Sequence, residues 1–116
     1  MSKLLLSVIL FLVGHTLIWF QLNGQFKWEW FQKNPHILAI ALGSIISYTF
    51  IYGTKYCVEH FDGLLWPGRF LGFALGISSY ALITWWMMGE GISLKTFTSL
   101  VLATGIICVQ LFWKTA

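Results

Sequence analysis

LLLSVILFLVGHTLIWFQL, residues 4–22, is the stretch whose reading decides the fold. No charged residue interrupts it, and its length is close to the ~20 residues that a helix rising ~1.5 Å per residue needs to cross ~30 Å of hydrocarbon. Three further charge-free runs follow at residues 36–54, 70–88 and 96–113. The charges fall in clusters between the runs, as in a chain that crosses a membrane repeatedly. Over all 116 residues, 58% are hydrophobic, 18% aromatic and 9% charged, with a mean hydropathy of +0.77. A water-soluble domain carries about a quarter charged residues. The composition therefore excludes a soluble enzyme, a secreted disulfide scaffold and a disordered tail. A net charge of +3 from scattered residues is no nucleic-acid footprint. Continuous apolar runs have the wrong period for a membrane barrel, and a spanning segment must satisfy its own backbone. The expected fold is all-α: a polytopic integral membrane protein with four transmembrane helices in a single domain, 1–116.

The punctuation agrees with these spans. Asn23-Gly24 closes the first, and Pro35 suits the first turn of the second. Asp62-Gly63 and Trp66-Pro67-Gly68 precede the third, while Gly89-Glu90-Gly91 breaks it from the fourth, where Ser93 can cap. The first loop alternates Phe26, Trp28, Trp30 and Phe31 with Lys27, Glu29 and Lys33, a pattern for the headgroup level. Trp19, Trp66, Trp85, Trp86 and Trp113 lie near other span ends, so most of the seven tryptophans read as an interfacial belt. Residues Val13 to Thr16 offer no small-x-small cleavage site, and the first span is expected to be retained. Cys57 and Cys108 are isolated and read as free thiols. Lys3, Lys55, Arg69 and Lys114 against Lys27, Lys33 and Lys95 is a weak orientation bias.

The sharpest local pattern is Gly68, Gly72 and Gly76, a double G-x-x-x-G extended by Ser79. Such a groove lets another backbone approach closely, either a neighbouring helix of the same chain or a second copy. Gly43 with Ser47 makes a shorter patch of the same kind. Ionisable groups near hydrocarbon are costly and draw functional hypotheses. His15, alone in the first span, is either a titrating group facing a cavity or a neutral imidazole bonded to a neighbouring helix. Arg69 is near Glu59 and Asp62 in sequence, which suits an interfacial ion-paired anchor. Lys55 reads the same way, and Glu90 as a solvated turn residue. His15, His36 and His60 lack metal-ligand spacing, and no nucleophile constellation, phosphate loop or dinucleotide fingerprint is present. No catalytic residue, metal or cofactor is expected.

The chain resembles the small multidrug resistance family, the four-helix branch of the drug/metabolite transporter superfamily. The resemblance lies in length, span count and loop placement over nearly the whole chain. It is carried by Gly76 and Trp85 in the third span, by Gly89-Glu90-Gly91-Ile92-Ser93-Leu94, and by Gly105-Ile106-Ile107. Gly14, Thr16, Leu17, Phe20 and Gly24 add a similar run in and after the first span. The resemblance implies an antiparallel homodimer of dual-topology subunits in a bacterial inner membrane, exporting small cations against protons. Two departures stand out. The family's first-helix Glu aligns with Phe11, one turn from His15, and its substrate-stacking tryptophan falls near Gly72. His15 is then the candidate proton site, with Tyr48 and Tyr52 as candidate cation contacts and Phe11 and Trp85 as further candidates for the substrate site.

These readings converge on a small membrane transporter of the drug/metabolite type, moving a small organic cation or another small, even lipid-like, solute as a homodimer assembled through the Gly68/Gly72/Gly76 face. The alternative class is a non-transporting protein, either an accessory or assembly subunit or a phage-type holin. Lys114-Thr115-Ala116 is a poor match to a holin's charged tail.

Overall fold

The computed structural model describes residues 2–113, and every regular element among them is helical. Helix α1 (Lys3–Asn23) opens on Ser2, whose Oγ accepts from the Leu5 N–H at 3.1 Å, and ends in a tighter turn, Gly24–Phe26. A single exposed turn, α2 (Glu29–Lys33), carries an i,i+4 ion pair of 2.7 Å between its end residues. Helix α3 (Pro35–His60) begins with proline in its first turn. Its ladder widens over Leu38–Leu42, where the Gly43 N–H reaches back five residues to the Leu38 carbonyl. Gln21 Nε2 of α1 donates to that same carbonyl at 3.1 Å, binding the two helices at the irregular point.

Asp62 and Gly63, both at positive φ, turn the chain into α4 (Trp66–Met88). Gly89 at φ +68° stops α4, its N–H bonded to the Trp85 carbonyl at 3.1 Å. Ser93 then caps α5 (Leu94–Phe112), accepting from the Thr96 N–H at 3.2 Å.

Three helical segments, Lys3–Phe26, Pro35–His60 and Trp66–Met88, are long and apolar enough to cross a membrane, which makes this an integral membrane protein. The apolar stretch of α5, Leu94–Gln110, is shorter. Lys114, Thr115 and Ala116, the tail weighed above against a holin's, lie outside the described residues.

Helix α1 lies between α3 and α4, and α5 stands at the edge, packed chiefly on α4. The α1–α3 crossing is a reciprocal exchange of rings and glycines. Phe50 of α3 covers Gly14, where a Cβ would lie 2.7 Å from its ring. Phe11 of α1 covers Gly53, with a Cβ at 3.0 Å from its ring, and the two rings meet at 5.8 Å between centroids. Ser7 Oγ donates to the Gly53 carbonyl at 2.9 Å from a fully buried site. The interior is otherwise small, and large apolar side chains such as Ile40, Leu82 and Leu102 face outward, as lipid permits.

One tryptophan departs from the expected belt. Trp19 is 2% exposed, and its Nε1–H donates to Thr84 Oγ1 at 2.9 Å, tying α1 to α4. A buried indole needs a partner for its N–H, and Thr84 supplies one. Trp30, Trp66, Trp85, Trp86 and Trp113 are exposed.

Candidate functional site

A cavity of about 770 Å³ opens between α1, α3 and α4, within the size range of small-molecule sites. Its α4 wall follows from helical spacing. Arg69, Gly72, Phe73, Gly76 and Ile77 recur at i, i+3, i+4, i+7 and i+8, so they form one continuous face. The glycines keep this face low, and they divide the work between them. Gly68 is met by the Cys57 thiol, with a Cβ position 3.3 Å from Sγ. Gly76 is met by the His15 imidazole, with a Cβ position 2.6 Å from Cε1. At Gly72 a Cβ would meet nothing within 4 Å, so the middle of the stripe is open space.

The opposite wall comes from the ring-and-glycine crossing. Because Phe11 and Phe50 interlock there, His15 is held one turn beyond Phe11 and stands edge-on to Phe50 at 4.9 Å. His15 Nε2 is enclosed and has no hydrogen-bond partner. An enclosed polar atom without a partner is costly, and here it belongs to a residue that lines the cavity. Thr54 adds a hydroxyl from α3, and Ile106 closes one side from α5. Among the described residues that line the cavity, Arg69 is the one permanent charge, and no carboxylate joins it.

The residues singled out in the sequence divide cleanly. Phe11, His15, Gly68, Arg69, Gly72 and Gly76 come together around the cavity. Tyr48 at 66%, Tyr52 at 47% and Trp85 at 60% exposure lie on the outer surface and do not line it. The suggested pairing of Arg69 with Glu59 or Asp62 is absent among the described residues. Glu59 instead binds Lys3 across helices at 3.2 Å, and Asp62 occupies the turn.

Phe50, Thr54, Phe73, Ile77 and Ile106 escaped the sequence reading. A usable signal did exist for some of them. Phe-x-x-Gly occurs at Phe11/Gly14, Phe50/Gly53 and Phe73/Gly76, always with one member at a helix contact or the cavity. A second cavity of about 280 Å³ lies by Gln21, Gln25 and Leu38, at the widened part of α3. No group of three His, Cys, Asp or Glu among the described residues is placed to hold a metal ion. No family model matches the chain, and no curated protein or solved structure matches it.

Proposed function

We propose that the chain is a divergent small transporter of the drug/metabolite type, with α5 as its fourth span and the α1–α3–α4 cavity as its solute site. The observation that carries this reading is the cavity itself. It is large, lies among helices fit to cross a membrane, and is lined by His15, the one ionisable residue in the run 4–22, whose Nε2 is unpartnered. Assembly as a homodimer in a bacterial inner membrane, in antiparallel arrangement, belongs to the same proposal.

The missing first-helix carboxylate argues against proton-coupled cation exchange as the family performs it. Phe11 stands there, 2% exposed and committed to Gly53. His15 is left as the proton site. Solid-supported-membrane electrophysiology on reconstituted protein tests the reading, with organic cations and alkyl anions as the panel. Currents evoked by one class and lost in His15→Ala are expected. Silence across both classes from folded protein would overturn it.

A second reading, an accessory or assembly subunit, is supported by α5. Its outer side, including Phe97, Leu102 and Val109, is exposed and could seat a partner. Purification with a stoichiometric partner, together with that silence, is the result expected from it.

A further inference from the structure

We infer that the cavity takes an anionic amphiphile, with a phosphate-type head at Arg69 and a hydrocarbon tail running inward along α4. The inference deepens the transporter reading and rests on the same cavity.

Arg69 is exposed at the start of α4, and it is the one permanently charged side chain among the described lining residues. The two nearby carboxylates do not neutralise it. Glu59 is taken by Lys3 at 3.2 Å, and Asp62 forms no ion pair among the described residues. A guanidinium without an ion-pair partner among the described residues favours phosphate or carboxylate oxygens and repels a cation. Thr54 offers a neutral hydroxyl from the facing helix.

The site also changes polarity along its depth. The ends of α1 and α3 that carry Lys3 and Glu59 meet near the start of α4, so Arg69 lies at the charged, headgroup-level end. Inward of Arg69 the lining is apolar apart from His15, with Phe73 and Ile77 on α4 and Ile106 on α5. Ile77 lies about 12 Å along the helix from Arg69 at 1.5 Å per residue. His15 is about 18 Å from Lys3 by the same rise, which is past the middle of a ~30 Å core. A charged mouth at the interface and a floor near the midplane that is apolar apart from His15 match the amphiphile of one leaflet, with head and tail in register.

Gly72 stands between head and tail with no neighbour where its Cβ would be, so the space is not used by the protein's own packing.

The test measures saturable displacement of a fluorescent alkyl phosphate from the full chain in a nonionic maltoside. The competitors are dodecyl phosphate, dodecyltrimethylammonium and inorganic phosphate. Dodecyl phosphate is expected to displace the probe, and the other two to fail. Arg69→Gln is expected to weaken dodecyl phosphate by at least about tenfold, the loss of one charge-assisted contact. Gly72→Leu, which fills open space, is expected to abolish binding while helical content is kept, with Gly72→Ala as the milder variant. Equal displacement by the ammonium compound or by inorganic phosphate overturns the inference, as does indifference to Arg69→Gln. Binding without transport would sink the transporter reading alone. Cation currents without alkyl phosphate binding would sink this inference alone.

Discussion

Gly72 and Gly76 are one helical turn apart on the same face of α4, yet the structure asks opposite things of them. At Gly76 an added methyl would sit 2.6 Å from the His15 ring, while at Gly72 it would enter open space. Gly76→Ala should therefore cost about 1–3 kcal/mol through overpacking. Gly72→Ala should be neutral or stabilising by up to ~1 kcal/mol, because alanine is the better helix former. Thermal unfolding in detergent compares the two, and equal effects would refute the assignment of Gly76 to His15. Trp19 gives a second test at this scale. Trp19→Phe keeps most of the ring and removes the N–H held by Thr84, at a cost of about 0.5–1.5 kcal/mol. In a double-mutant cycle with Thr84→Val, additive losses would mean the bond contributes nothing.

Among the elements, α1 and α3 are joined by matched notches rather than by a broad apolar stripe. Each gives the other a ring and receives one on a glycine, and Ser7 adds a hydrogen bond to the Gly53 backbone. Small residues that admit close approach suit lipid, where burying apolar surface brings no gain over leaving it in hydrocarbon. Phe50→Ala should then destabilise by about 2–3 kcal/mol, since it opens a void above Gly14 and frees His15. Tyr48→Ala, on the outer surface of the same helix, should stay within ~0.5 kcal/mol. Similar losses at both positions would show that the crossing is not the element's anchor. At the far end, Lys27 Nζ donates to the Met87 carbonyl at 2.9 Å, so the aromatic first loop closes over the C-terminus of α4.

At the scale of the molecule, α1 is the shared partner and α5 the outlier. Because α5 packs chiefly on α4, with Ala103 as its one buried residue among those described, the α1–α3–α4 unit should keep its fold without it. A chain ending at Gly89 is expected to retain its helical content and a cooperative transition by circular dichroism. Loss of that transition would make α5 integral to the core. The two ends of the molecule also differ. Lys3 and Glu59 share one, while Lys27 and the end of α4 share the other. Cysteines placed at Lys27 and Gly91 should therefore react with an impermeant maleimide from the same side. Labelling from both sides in equal measure would reveal dual insertion, and labelling from opposite sides would refute the helix arrangement.

Composition and spacing were enough to determine the helices and a hydrocarbon environment, though one helix runs on to His60, beyond 54, and the next begins at Trp66, before 70. The reason is solvation: charge-free runs such as residues 4–22 must satisfy their own backbone and cannot face water. Proline at position 35, glycine at 89 and serine at 93 end or begin helices through local geometry, so they too were legible. Facing was not. In lipid the outside of a helix is as apolar as its inside, so periodicity cannot separate Trp19, which is buried, from Trp85, which is not. Only the tertiary structure decided that Gly68 and Gly76 are filled while Gly72 stays open, that Lys3 takes Glu59, and that Arg69 has no carboxylate partner among the described residues. Those outcomes depend on which helices meet and at what height, and contacts between distant segments carry no mark in the local pattern of any one of them.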